Sequence, residues 1–288
     1  MLVDPVMRKP VSAVAVREAL AADGVTSEFF TSQLEFATTP VREPAEALAQ
    51  LRQARARIQD AVESLHGPEA PLVWRRGTPF DIDEPEVSDA ERYRAIADRI
   101  RGLDVGHQLS ATHVHIEIES REEGVRLLNR MRPWLPLLLA LGANSPHWRG
   151  RDTGFASWRA VLLRRWPTTG CPPEFADAAD YDRRIAALAA SGAAPDAGML
   201  GWFARLSATH PTVEFRVFDA QSEAEDAVRL AEACLALVDA EPVAVPPPEF
   251  LDAELWLAAR DGLAAELWDP RTGRRHAAAV IADELARS

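Results

Sequence analysis

The stretch Thr112–Ser120, with the sequence THVHIEIES, alternates strictly between polar and apolar residues. Successive side chains of an extended strand point to opposite faces, so this stretch predicts a strand with one apolar and one polar face. The polar face would carry His113, His115, Glu117 and Glu119. Imidazole and carboxylate groups bind metal ions and transfer protons. A row of four such groups favours a functional site; the alternative is an ordinary solvent-exposed face.

Two other predicted strands carry charged residues on one side. Glu35 lies on the polar side of a strand predicted within residues 28–38, and Glu214 and Arg216 share the polar side of one over residues 212–219. If all three strands lie in one sheet, its polar face is rich in carboxylates and has arginine at its edge. Mg²⁺ prefers carboxylate oxygens and in enzymes commonly bridges phosphates.

Helical spacing of apolar residues and capping signals predict the remaining elements. Capping-box patterns occur at Ser88/Glu91, Ser120/Glu123 and Ser222/Glu225, and a short strand is expected within Leu72–Phe80. The predicted helices cover residues 11–20, 44–65, 89–101, 120–142 with a bend at Pro133 and Pro136, 181–191, 222–238, 250–262 and a short one from 277. This mixture of strands and helices predicts an α+β fold.

Residues 144–165 form an unusual loop, in which Arg149, Arg151 and Arg159 lie among glycines, a proline and aromatic residues. Glycine allows the backbone to approach a ligand closely, and the guanidinium group matches the geometry of carboxylate and phosphate. The alternative is a basic surface loop. Because the chain is acidic overall, anion binding is favoured, and these arginines could neutralise charge during phosphoryl transfer.

Composition narrows the class of protein. The 288 residues carry a formal net charge of −12, which argues against nucleic acid or an anionic membrane as the main partner. The two cysteines, Cys171 and Cys234, form no disulfide framework and suit a reducing compartment. The start of the chain does not resemble a signal peptide, and the most apolar segment, residues 133–143, is far shorter than the ~20 residues of a membrane span. We therefore expect a cytoplasmic protein.

A zinc hydrolase is a weaker interpretation of the His113/His115 pair. Such enzymes need further His or Lys ligands later in the chain, and only His147, His210 and His276 follow, with no lysine. No Walker-type phosphate loop and no GxGxxG motif occurs. The pattern favours nucleotide-dependent phosphoryl transfer over zinc hydrolysis.

Several short sequence blocks, spread over most of the chain, occur together in one known family. They are SQLE at 32–35 with AT at 37–38, HVH at 113–115, RPWLP at 132–136, ANSP at 143–146, WRGRDTG at 148–154, RWP at 165–167, TVEFRVFD at 212–219 and ARDG at 259–262. In these blocks the chain resembles the carboxylate–amine ligase family, the bacterial relatives of glutamate–cysteine ligase.

The resemblance implies an α+β, glutamine-synthetase-like catalytic domain over residues 1–288, with a curved, mostly antiparallel sheet and helices packed on its outer face. It implies ATP and Mg²⁺ as cofactors and small-molecule carboxylate and amine substrates. The carboxylate, in an amino acid such as glutamate, would be activated as an acyl phosphate that the amine attacks. A homodimer is possible. By position the metal–nucleotide site would hold Glu35, His113, His115, Glu117 and Glu214. Phosphates or the substrate carboxylate would contact Arg149, Arg151, Arg159, Arg216 and Arg260.

The chain also departs from the family pattern. Family members usually carry a glutamate-rich strand before the stretch that matches Leu2–Pro5, and this sequence starts after that point. A histidine is usual between the equivalents of Thr78 and Pro79, and glycine is usual where Glu117 stands. Glu117 could replace a lost carboxylate. These departures motivate an alternative to the ligase, a non-catalytic or repurposed relative that acts as a binding or complex subunit.

Overall fold

The computed structural model describes residues 1–82, 84–193 and 197–287, and it has the predicted α+β composition. The helices are α1 (Val14–Ala19), α2 (Pro44–His66), α3 (Glu91–Ile100), α4 (Arg121–Met131), α5 (Leu135–Gly142), α6 (Trp158–Leu163), α7 (Ala178–Ala190), α8 (Ala224–Val238), α9 (Pro248–Asp261) and α10 (Ala278–Leu285). The strands are β1 (Leu2–Val3), β2 (Pro10–Val11), β3 (Val25–Ser27), β4 (Leu34–Phe36), β5 (Leu72–Val73), β6 (Ala111–Glu117), β7 (His147–Trp148), β8 (Arg151–Asp152), β9 (Ala204–Leu206), β10 (Thr212–Asp219), β11 (Glu266–Asp269) and β12 (Arg274–Ala277).

The central sheet has the order β6–β10–β9 and is antiparallel throughout. The alternation predicted for residues 112–120 is confirmed, because Glu117 and Glu119 are exposed and the side chains of residues 113 and 115 are partly accessible, while Val114 and Ile118 are buried. The strand ends at Glu117, so Glu119 lies in the turn that leads into α4. Glu214 faces His115 on one side and Arg205 on the other. The sheet therefore lines up charged residues of three strands on one face.

A β-bulge interrupts the pairing of β10 with β6. Phe215 pairs with Val114 and Phe218 with Thr112, so three steps along β10 match two along β6. An extra residue bends a strand and resets its alternation. Val217 and Phe218 are consequently both part of the core, whereas strict alternation would have exposed one of them.

The apolar face of the sheet packs against helices α4, α5 and α8. Pro133 and Pro136 cause the predicted bend, because α4 ends at Met131, a 3₁₀ turn covers Arg132–Trp134, and α5 begins at Leu135. Proline is tolerated in a first helical turn, where its missing N–H would have no partner. The bend places Trp134 and the leucines of α5 in the core.

A second, smaller apolar cluster lies at the N-terminal side, between the sheet β2–β1–β5, helices α1 and α2, and the hairpin β3–β4. Polar contacts join it to the central sheet region. Arg55 of α2 donates to the carbonyl oxygens of Gln221 (3.0 Å) and Ser222 (2.7 Å), and the Gln33 amide donates to the carbonyl oxygen of Leu109. These contacts hold the β3–β4 hairpin beside the polar face of β6 and β10.

Several predicted elements were wrong in extent or partner. The strand with Glu35 covers only residues 34–36 and pairs with β3, so it is not part of the central sheet. The strand predicted within 72–80 covers only Leu72–Val73.

Two of the three capping boxes were also wrong. The Ser88 hydroxyl donates to the carbonyl oxygen of Glu28 (2.6 Å), and the Ser222 hydroxyl accepts from the Asn144 amide (3.3 Å), so tertiary partners replaced the helix N–H groups. Of these three predicted serine caps, only that of Ser120 forms, and its hydroxyl accepts from the Glu123 N–H (3.2 Å).

Of the helices in the described ranges, none combines the length and apolar character that a membrane crossing requires.

Candidate active site

Glu214 lies at the centre of the charged face of the sheet. Its carboxylate accepts from the Arg205 Nε at 2.8 Å and is ion-paired with Arg216. His113 Nδ1 lies 3.3 Å and His115 Nε2 4.0 Å from the same carboxylate. We call Arg205, Glu214, Arg216, His113 and His115 the Glu214 cluster. The structure thus brings together four of the residues that the sequence predicted, and adds Arg205.

The arginines determine the charge state of the Glu214 carboxylate. Burial alone would raise the pKa of Glu214, but the guanidinium groups of Arg216 and Arg205 outweigh it and hold the pKa at about 2. Loss of solvation, reinforced by Arg216, lowers the pKa of His113 well below its usual value, and loss of solvation also lowers the pKa of His115. At neutral pH the cluster therefore contains two guanidinium cations, one carboxylate and two neutral imidazoles.

Hydrogen bonds orient the two imidazoles differently. His115 Nδ1 lies 2.8 Å from the Thr212 hydroxyl, which leaves Nε2 towards Glu214. For His113, Nδ1 is the nitrogen beside the Glu214 carboxylate. A carboxylate only accepts, so we assign the proton of neutral His113 to Nδ1. Its Nε2 is then a proton acceptor.

Glu35 lies on the separate hairpin β3–β4 and interacts with the cluster through its charge. The Thr26 hydroxyl donates to its carboxylate at 3.4 Å across that hairpin. Loss of solvation and the nearby charge of Glu28 raise the pKa of Glu35, and the charges of Arg216 and Glu214 also act on it. Glu35 and Glu214 therefore interact electrostatically, although the two residues belong to different sheets.

Glu117 lies apart from these contacts. It is exposed at the end of β6, opposite Thr212, and in the described part of the chain its side chain makes no hydrogen bond or ion pair. The strand direction gives it the same face as His115, but it is one cross-strand pair further from the centre of the cluster.

Arg149 and Arg151 lie on a hairpin formed by β7 and β8. Arg149 (φ 50°) and Gly150 (φ 74°) connect the two strands. Two positive φ angles are typical of a type I′ turn, which matches the strand twist. The N–H of Gly150 donates to the carbonyl oxygen of Phe80 (3.0 Å), so the tip of the hairpin is fixed although both arginines are exposed.

Arg159 and Arg260, predicted to bind the nucleotide, make protein contacts. Arg159 is buried, lies 3.6 Å from the Asp219 carboxylate, and donates to the carbonyl oxygen of Arg216 (3.0 Å). Arg260 pairs with Asp261 and stacks on Trp256, with Cζ 4.8 Å from the ring centroid. A direct contact of Arg159 with a ligand would require it to leave its buried partners.

Sequence reasoning missed two residues that organise the region, Arg205 and Asp219. Arg205 is buried and also donates to the carbonyl oxygens of Gly198 (2.8 Å) and Leu200 (3.0 Å). Asp219 is fully buried at the end of β10. The available signal was a single charged residue within or directly after an apolar run, as in FARL at 203–206 and FRVFD at 215–219.

The arrangement of potential metal-binding side chains limits which kind of metal site the protein can form. The described ranges contain no group of three or more His, Cys, Asp or Glu side chains placed to hold a metal ion. Mg²⁺, however, needs only one or two protein carboxylates when it shares its coordination with phosphate oxygens and water. Glu35 and Glu214 could each supply a carboxylate to an ion that enters with a nucleotide, and together they do not form a protein cage.

The comparisons with known proteins agree on one family. The model of Glutamate-cysteine ligase family 2 (GCS2) matches residues 2–288. A protein of Salinispora arenicola named "Putative glutamate--cysteine ligase 2" is 40% identical over 266 residues, which cover 90% of this chain and 70% of the relative. A relative of the same name from Streptomyces coelicolor is 36% identical over 301 residues, 99% of this chain and 81% of the relative. The chain belongs to glutamate–cysteine ligase family 2.

Proposed function

We propose that the chain is an ATP- and Mg²⁺-dependent carboxylate–amine ligase, with an amino acid such as glutamate as the acid substrate. The observation that carries the proposal is the Glu214 cluster, in which Arg205 and Arg216 hold one buried carboxylate on the charged face of the sheet beside neutral His113. The relatives named for glutamate–cysteine ligase support the same reaction class. A glutamine-synthetase-like form of the fold, a single domain, a homodimer and a cytoplasmic location belong to this proposal.

In this reaction a carboxylate oxygen of the acid attacks the γ-phosphorus of ATP, and ADP leaves. The amine nitrogen then attacks the acyl carbon of the resulting acyl phosphate, and inorganic phosphate leaves with one oxygen of the original carboxylate. Charge accumulates on the phosphoryl group as it is transferred, so positioned guanidinium groups stabilise the transition state. Arg216 in the cluster and Arg149 and Arg151 on the hairpin are proposed for this role.

The amine must lose a proton when it attacks the acyl carbon. His113 is held neutral, and its Nε2 is the nitrogen left without a proton in the tautomer assigned above. A neutral imidazole can accept that proton, and the Glu214 carboxylate favours the imidazolium that forms, whereas loss of solvation and Arg216 oppose it. We assign this role to His113. When bound, Mg²⁺ would neutralise charge on the nucleotide phosphates, with Glu35 and Glu214 as its protein ligands.

A second candidate function is a non-catalytic relative that binds a ligand or a partner subunit. The observation in its favour is that both oxygens of Glu214 already accept from arginines, as in a purely structural ion pair. If Glu214 served only in this ion pair and no longer bound a metal ion, the fold would be preserved and turnover would be lost. The two candidates predict the same structure and differ in chemistry.

Hydroxylamine separates the two candidates, because it traps an acyl phosphate whatever the natural amine is. The purified chain is incubated with Mg-ATP, pooled amino acids and hydroxylamine, and ADP and hydroxamate are measured together. The ligase proposal predicts that both form in equal amounts, that splitting the pool identifies the acid, and that Glu214→Gln abolishes both. Glu119→Gln, in the turn that follows β6 and outside the cluster, is the matched control and should retain activity. A folded chain that forms neither ADP nor hydroxamate would support the non-catalytic candidate.

A further inference from the structure

Asp219 connects the strand of the Glu214 cluster to the loop that carries Arg149 and Arg151. One oxygen accepts from the Asn144 N–H (2.7 Å) and the Ser145 hydroxyl (2.6 Å), and the other accepts from the Ser157 hydroxyl (3.0 Å). The Arg159 guanidinium lies 3.6 Å away. The carboxylate has no exposed surface, so all of its acceptor capacity is directed to these donors.

These donors come from both ends of one closed loop. The N–H of Ser145 donates to the carbonyl oxygen of Ala156 (3.0 Å), and the N–H of Trp158 donates to that of Ser145 (2.9 Å), so residues 145 and 157 form a neck. The hairpin β7–β8 projects from this neck. Asp219 is the last residue of β10 and lies three residues beyond Arg216, so its hydrogen bonds tie the neck to the end of this strand.

The packing around Asp219 leaves little freedom to reposition it. Gly77 lies so close that an added Cβ would stand 2.6 Å from the Asp219 Cγ, and its N–H donates to the Asn144 carbonyl oxygen (3.1 Å). Arg159, paired with Asp219, donates in turn to the backbone oxygens of Arg216 (3.0 Å) and Val217 (3.4 Å). One carboxylate thus contacts the loop neck directly and, through Arg159, the backbone under the cluster.

We propose that Asp219 is a positioning residue that sets the place of the Arg149–Arg151 hairpin relative to Arg216, so that the two groups of arginines act on one bound polyphosphate. The polyphosphate part of this inference rests on the proposed ligase function, whereas the placement of the hairpin does not. In Asp219→Asn, one acceptor oxygen becomes an NH₂ group. The donors on that side then lose their acceptor, and the Arg159 cation loses its counter-charge.

The first test measures the hairpin without any ligand. The folded full chain is treated briefly with trypsin, and cleavage after Arg149 and Arg151 is followed by mass spectrometry, with cleavage after Arg183 in α7 as the internal reference. We expect Asp219→Asn to increase hairpin cleavage at least fivefold and to change cleavage after Arg183 less than twofold. Asp269→Asn, which alters another fully buried carboxylate paired with Arg271, is the matched control and should leave the hairpin unchanged.

Unchanged hairpin cleavage in a folded Asp219→Asn variant would overturn the proposal. If that variant does not fold, Ser157→Ala decides the question, because it removes a single donor to Asp219 and should still accelerate hairpin cleavage at least twofold. Ser157 also caps α6, so Ser120→Ala, which removes the cap of α4, is its control. Equal hairpin cleavage in Ser157→Ala and Ser120→Ala would likewise overturn it.

The second test uses the hydroxamate reaction. Correct positioning predicts that Asp219→Asn raises the KM for ATP at least fivefold while kcat changes less than threefold. Faster hairpin cleavage with an unchanged KM would overturn the inferred cooperation of the two groups of arginines. A wild-type chain without ATP-dependent activity would reject the proposed function, and trypsin would still decide whether Asp219 positions the hairpin.

Discussion

Two groups of arginines are held in place in opposite ways in this molecule. In the Glu214 cluster, Arg205 and Arg216 are fixed by ion pairs to one buried carboxylate. On the β7–β8 hairpin, Arg149 and Arg151 are exposed, their side chains have no ion pair in the described ranges, and the backbone turn fixes their position. In the sheet, therefore, the arginine charges contribute to the stability of the fold through their ion pairs. On the hairpin, the exposed arginine charges should contribute little to the stability of the fold, and they remain available to a ligand.

The largest effect is expected from breaking the ion pair in the cluster. Arg205→Met should lower the free energy of unfolding by about 3–5 kcal/mol, because it leaves a buried carboxylate with part of its counter-charge removed. Arg151→Met, the matched change on the hairpin, should alter it by less than about 0.5 kcal/mol. Urea unfolding followed by tryptophan fluorescence measures both variants. Similar losses in the two would remove the distinction between the groups.

Acid should reveal the same difference. The folded pKa of Glu214, about 2, lies below the ordinary value of 4.5 for a glutamate side chain. The stability it contributes is therefore present above pH 4.5 and is lost as the pH falls towards 2. Between pH 6 and pH 3 the loss is about 2 kcal/mol on the scale of 1.36 kcal/mol per pKa unit. Glu214→Gln should lack this part of the acid destabilisation in urea unfolding at the two pH values. An identical pH dependence in both proteins would show that the arginines do not hold Glu214 ionised.

The hairpin arginines should show the reverse behaviour. The double variant Arg149→Ala/Arg151→Ala should keep wild-type stability and bind Mg-ATP about tenfold more weakly, a change of about 1.4 kcal/mol. Because exposed charges are screened by salt, the difference from wild type should shrink between 50 and 300 mM NaCl in calorimetric titrations. A double variant that loses stability but binds the nucleotide normally would assign the hairpin a structural role.

The smallest expected effect concerns the backbone of the hairpin. Arg149 adopts φ 50°, a left-handed conformation that costs a non-glycine residue roughly 1–2 kcal/mol. Glycine relieves this cost but loses more conformational entropy on folding, so Arg149→Gly should be more stable than Arg149→Ala by about 0.5–1 kcal/mol. Thermal or urea unfolding of the two variants gives the comparison. A less stable glycine variant would mean that the turn is not strained.

Local pattern predicted much of the fold. The alternation in residues 112–118 and 212–217 and the two prolines at 133 and 136 correctly predicted the two long strands, their buried faces and the bent helix, because period and proline geometry act within a few residues. The capping boxes at Ser88 and Ser222 failed because distant partners, Glu28 and Asn144, compete for the same hydroxyl groups.

The candidate site was less predictable, because its contacts join residues far apart in the chain. The electrostatic interaction of Glu35 with Glu214 depends on how a separate hairpin packs, and nothing in residues 28–38 specifies that packing. Arg205 pairs with Glu214 through the register of β9, and Asp219 follows a bulge that alternation does not reveal. Arg159 was predicted as a ligand contact because it lies in the arginine-rich loop. Its side chain is buried, however, and makes structural contacts within the protein.

The transfer of oxygen from the acid to phosphate tests the central claim most directly. Wild-type chain is incubated with Mg-ATP, hydroxylamine and glutamate labelled with ¹⁸O in both carboxylates, and the released phosphate is analysed by mass spectrometry. Activation as an acyl phosphate predicts one ¹⁸O atom in each phosphate released with hydroxamate, and no labelled phosphate from Glu214→Gln. Unlabelled phosphate, or no ADP from a folded chain with each of the twenty common amino acids supplied in turn, would contradict a carboxylate-activating site around Glu214.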